Sequence, residues 1–120
     1  KELEKVKFGI FLRKESKMVV VYISGAYRAP TMHGVVENIR KAEAVAIEYW
    51  KQGYAVICPH LNTALIDGEI PDEQILKGDL VILSRCDIVV MMKGWQKSEG
   101  ATAEHDYAKE LGITVYYEEE

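Results

Sequence analysis

Residues 19–53 read VVVYISGAYRAPTMHGVVENIRKAEAVAIEYWKQG, and the two halves of this stretch follow different periods. Residues 19–23 are a short β-branched apolar run ended by Ser24-Gly25-Ala26-Tyr27, the pattern of a buried strand. Residues 35–52 carry Val35, Ile39, Ala42, Ala46 and Tyr49 at helical spacing and stop at Gly53. The unit is therefore a strand followed by an amphipathic helix.

The unit recurs along the chain. Residues 54–58 read as a strand closed by Pro59, 72–85 as a helix, 87–92 as a strand, 101–111 as a helix stopped by Gly112, and 113–117 as a last strand. Strands alternating with helices imply right-handed crossovers and a parallel sheet covered on both faces. The predicted fold is a single-domain, doubly wound α/β structure of flavodoxin-like or Rossmann-like type, with four to five parallel strands in the order 2-1-3-4. Ligands of such sheets bind where the strand order reverses, beyond the carboxyl ends of the first and third strands. The segments predicted to meet there are 24–31 and 93–100.

At 120 residues the chain is long enough for one continuous core and too short for two. Its net charge of −4, with basic residues scattered, offers no lysine-rich face for a nucleic-acid polymer. Cys58 and Cys86 are far apart and belong to no C-x-x-C or zinc-spaced cluster, and His33, His60 and His105 form no metal set. No apolar run approaches a membrane span and no signal-peptide core is present, so a cytoplasmic, membrane-free location is expected. Residues 1–17 fit the alternation poorly. They read either as translated leader ahead of a natural start at Met18 or as an extra N-terminal element with an edge strand at residues 8–12. The domain is placed at 18–117, and 118–120 read as a solvated acidic tail.

Two carboxylates point the wrong way. Glu104 lies three residues after Ala101 and four before Ala108, which puts it on the inward face of its helix near the N-terminal end. An inward carboxylate is paired, protonated or functional. The spacing leaves open a nucleophile kept ionised by the helix dipole and a plain N-terminal capping residue. Asp79 similarly falls between Leu76 and Leu83 on an apolar face, unless Gly78 breaks the helix and makes Asp79 an N-cap. Ser98-Glu99-Gly100 leads into the helix of Glu104 as a weak anion-binding signal, without the glycine patterns of dinucleotide or P-loop sites.

Together these residues resemble the nucleoside 2-deoxyribosyltransferase superfamily, including the 2′-deoxynucleoside 5′-phosphate N-hydrolases, over nearly all of Met18 to Tyr117. The likeness rests on Val21-Tyr22-Ile23-Ser24-Gly25, Asp79-Leu80, Cys86-Asp87, Gly94-Trp95 and Ser98-x-Gly100-Ala101-x-x-Glu104. It implies cleavage of an N-glycosidic bond through a glycosyl-enzyme on Glu104, with Asp79 as the acid and the Tyr22 hydroxyl in contact with the nucleophile. It further implies that Ser98, six residues before the nucleophile, contacts a 5′-phosphate and that Arg28 adds the matching charge. Ser24, Gly25 and Gly100 belong to the implied binding loops. Tyr27, His60, Asn62 and Trp95 are expected to form the base pocket by stacking and hydrogen bonding. No metal or organic cofactor is implied, and the expected assembly is a homodimer or higher homo-oligomer. Thr102 stands where several relatives have a second glycine, and His105-Asp106 where Leu-Gly is usual. A nucleotide-sensing module without catalysis is the alternative, followed by a structural domain in which Glu104 and Asp79 pair inside.

Overall fold

The computed structural model describes residues 18–119. The expectations for residues 1–17, leader or edge strand, lie outside the described residues. The chain runs β1 (Val20–Ser24), α1 (Met32–Lys51), β2 (Ala55–Ile57), α2 (Pro59–Thr63), α3 (Asp72–Ser84), β3 (Ile88–Met91), α4 (Glu99–Leu111) and β4 (Thr114–Tyr117). Single 3-10 turns stand at Ala64–Ile66 and Trp95–Lys97. The four strands form one parallel sheet in the order β2-β1-β3-β4, the Rossmann-like arrangement that the alternation predicts.

The period of two along β1 and β3 divides the core between the two faces of the sheet. Val21, Ile23, Ile88, Val90 and Met92 pack with Ala42 and Ala46 of α1 on one face. Tyr22, Val89 and Met91 pack with Leu83 of α3 and Ala101 and Ala108 of α4 on the other. Asp87 fastens the lower ends of β1 and β3, since its carboxylate accepts the Val20 N–H at 2.9 Å.

Helix starts lie earlier than the apolar periodicity alone suggests. The Thr31 side chain accepts from the Gly34 N–H, so α1 begins at Met32 rather than residue 35. Ser98 caps α4 in the same way, and that helix begins at Glu99 rather than residue 101. The last residues are not wholly solvated as predicted. The Glu118 N–H bonds to the Met91 carbonyl at 2.8 Å, and its carboxylate accepts the Lys93 N–H at 2.9 Å.

Helix α3 runs unbroken through Gly78, which removes the N-cap alternative for Asp79. A Cβ at Gly78 would meet nothing within 4 Å. Gly78→Ala is therefore expected to raise stability by about 1 kcal/mol, the ordinary helix cost of glycine, as a higher melting temperature. A lower one would show that the helix needs its glycine.

Gly25 has a different reason to be glycine. A Cβ there would stand 2.6 Å from Met92 Sδ and 2.9 Å from Met92 Cβ, because the chain leaving β1 passes close against the end of β3. Gly25→Val should cost about 1–3 kcal/mol by overpacking, read as a lower urea midpoint. An unchanged midpoint would mean that Met92 yields freely.

Candidate functional site

Tyr22 and Ser24 are two residues apart on β1, so both side chains leave the face that α4 covers. On α4, Ala101, Glu104 and Ala108 form the buried stripe, which brings the Glu104 carboxylate down onto those two hydroxyls. Ser24 Oγ donates to Oε1 at 2.6 Å, and Tyr22 OH donates to Oε2 at 2.5 Å. Each carboxylate oxygen is thus held by one hydroxyl, and Glu104 is only 7 % exposed.

The electrostatics differ from the sequence expectation. Glu104 is the sixth residue of α4, beyond the first turn where the helix dipole acts, and Ser98 does the capping. Burial pushes the Glu104 carboxyl up to about 7, while the Ser24 and Tyr22 hydroxyls pull it down and the charge of Asp79 adds to the rise. Desolvation wins over the hydrogen bonds. The Tyr22 hydroxyl is itself held far above its ordinary value by burial and by Glu104, so it remains a donor.

Glu104 borders a cleft of about 670 Å³ that Asp79 also lines. That volume is ordinary for a small-molecule site. Asp79, half-buried on α3, makes no hydrogen bond or ion pair among the described residues, and burial raises its carboxyl to about 6. The two carboxyls share no hydrogen bond, so the internal pair of the structural-domain alternative is not formed.

Of the other sequence-predicted residues, Gly25, Tyr27, Arg28, His60, Ser98 and Gly100 line the same cleft. His60 is buried and donates from Nε2 to the Ala26 carbonyl at 2.8 Å, with its ring edge-on to Tyr27. Burial lowers its pKa, which keeps the ring neutral. Tyr22 and Ser24 stand behind the cleft as holders of Glu104.

Two predicted base-pocket residues lie elsewhere. Asn62 is exposed and lines a separate groove with Trp50 and Leu61, because the turn of α2 carries it away from the sheet's carboxyl edge. Trp95 stacks on His105 with ring centroids 4.2 Å apart, and the His105 ring also bonds Tyr117 OH and Asp106. His105 and Asp106 therefore serve an aromatic cluster outside the cleft lining.

Arg28 is already engaged. It pairs with Asp67 at 2.6 Å and Asp72 at 2.7 Å and lies over the Tyr27 ring at 5.1 Å. Asp67 and Asp72 were not identified as site residues by sequence, nor were Ile66 and Ile70, all of which line the cleft. The signal for them is topological. A connection leaving β2 at its carboxyl end must cross the switch-point edge before Pro71-Asp72-Glu73 starts the next helix.

Among the described residues no helix is long and apolar enough to cross a membrane. No curated protein matches the chain. The family model described as Domain of unknown function (DUF4406) matches residues 19–117, and the chain belongs to that family.

Proposed function

We propose that this protein cleaves the N-glycosidic bond of a nucleoside or of a (deoxy)nucleoside 5′-monophosphate through a covalent glycosyl-enzyme on Glu104. The observation that carries this reading is Glu104 itself, buried, held at both oxygens by Tyr22 and Ser24, and bordering a cleft shared with a second carboxyl of raised pKa. Two carboxyls in unlike environments are the usual equipment for displacement at an anomeric carbon.

In the first step a Glu104 oxygen bonds to C1′ and the C1′–N bond breaks, its electron pair passing to the base. Asp79, entering as the acid, delivers a proton to the departing nitrogen. In the second step water attacks C1′, its proton passes to the Asp79 carboxylate, and the ester bond to Glu104 breaks. A second base in place of water gives transfer instead of hydrolysis. The Tyr22 and Ser24 hydroxyls position the carboxylate and stabilise its charge as the ester departs. The reaction as drawn uses no metal or organic cofactor, in a cytoplasmic homodimer or higher homo-oligomer.

The test is incubation of the wild-type chain with a panel of nucleosides and nucleotides, with free base followed by chromatography. A slow 2′-fluoro substrate should leave a sugar adduct on the peptide that holds Glu104, visible by mass spectrometry. Intact substrates and no adduct would overturn the reading. Thermal stabilisation by those compounds without turnover would leave a nucleotide-sensing module in its place.

A further inference from the structure

Arg28 lines the cleft and is the cation that the resemblance assigns to a substrate's phosphate, yet most of its donors are spent. Nε and Nη2 donate to the two oxygens of Asp72 at 3.1 and 2.7 Å, while Nη1 and Nη2 donate to those of Asp67 at 3.0 and 2.6 Å. Four of the five guanidinium N–H groups are used, and with them both edges on which a phosphate could dock in the two-point manner. The triad carries a net negative charge. Beyond the triad, four further acidic side chains and Lys97 line the cleft among the described residues. Ser98 retains its hydroxyl proton while accepting from the Ala101 N–H, and together with the N-terminus of α4 it sets only neutral donors against that field.

We propose that Asp67 and Asp72 are the specificity determinants of the cleft. By clamping Arg28 they withhold it from a 5′-phosphate, so the unphosphorylated nucleoside is the substrate. This inference rests on the N-glycosidase reading and narrows it. It also turns Arg28 from the phosphate ligand implied by resemblance into a positioning residue, which ties the loop after β1 to the segment entering α3.

The experiment compares the four natural 2′-deoxynucleosides with their 5′-monophosphates, measuring base release and, in parallel, thermal stabilisation. The wild type should favour each nucleoside by roughly tenfold or more in kcat/KM. The Asp67→Asn/Asp72→Asn double variant should shift that ratio toward the nucleotide by roughly tenfold to hundredfold, mainly through KM, the scale of a freed charge-assisted bond. Adding Arg28→Gln should cancel the shift, which a merely structural role for the aspartates does not predict. Asp72→Asn alone, at the more exposed partner, frees one edge of the guanidinium if the double variant folds poorly.

Preference of the wild type for nucleotides, or a ratio unmoved in these variants, would overturn the inference while leaving the glycosidase reading in place. Absence of base release from all eight compounds would overturn that reading instead. Stabilisation then decides the inference, which stands only if nucleosides stabilise the fold more than nucleotides do. No stabilisation by any of them overturns both.

Discussion

Glu104→Gln is expected to lower base release by roughly a thousandfold or more, because the amide keeps the shape of the side chain but is not a nucleophile. The fold should persist, since the Gln oxygen still accepts one of the Ser24 and Tyr22 hydroxyls and the other can turn to accept from the amide nitrogen. The wild-type rate should also trace a bell against pH with its top between about 6 and 7. Displacement needs one proton on the pair, carried by Asp79 while Glu104 is ionised. With Asp79 at about 6 and Glu104 at about 7 this is the minor of the two singly protonated forms, and its share is still greatest between the two values. Below both values the nucleophile is protonated, and above both the acid is lost. A Gln variant with wild-type turnover would end the mechanism, and a flat profile would remove Asp79 from it.

The second large effect concerns stability. Glu104 has an ordinary value of 4.5 and stands at about 7 when folded, so the folded chain binds its proton more tightly than the unfolded chain does. The associated stability is fully present below pH 4.5 and is lost as pH rises through about 7. The loss is about 3 kcal/mol at 1.36 kcal/mol per unit. Asp79 acts in the same direction but more weakly, being half exposed to water. Between pH 5 and pH 8 the melting temperature of Glu104→Gln should therefore gain on that of the wild type by on the order of 10 °C. Parallel curves for the two proteins would show that the buried carboxylate costs the fold nothing.

The sheet was legible from sequence because each strand is a short apolar run and each helix carries a stripe at period 3.6, and the strand order is the common one for doubly wound sheets of this length. Glu104 was legible for the same reason, as a charge on an apolar stripe. Its protonation was not. The dipole argument used distance along the helix, whereas burial between α4 and β1 decides the matter and is a property of the packed molecule. Trp95 and Asn62 misled because residue type alone suggested a base pocket. Trp95 instead has His105 as a stacking partner through the turn Trp95–Lys97, and Asn62 sits on the outer side of α2. The Arg28 clamp was hidden because its partners lie 39 and 44 residues away, Asp67 in the aperiodic stretch before α3 and Asp72 at the first residue of that helix.

The bonds that hold Glu104 span 80 and 82 residues, and this separation bears on how the protein is made. At a synthesis rate of about 5–20 residues per second, Tyr22 and Ser24 leave the ribosome several seconds before the carboxylate they will hold. During that interval β1 has β2 to pair with, but its other edge waits for β3, and the face carrying Tyr22 waits for α3 and α4. A nascent chain stalled at this stage presents an open strand edge and an uncovered aromatic, the features that recruit chaperones or seed aggregates. Assembly of the cleft thus waits for α4, and a chain cut short before that helix lacks the carboxylate together with Ala101 and Ala108, which pack with Tyr22 and Met91.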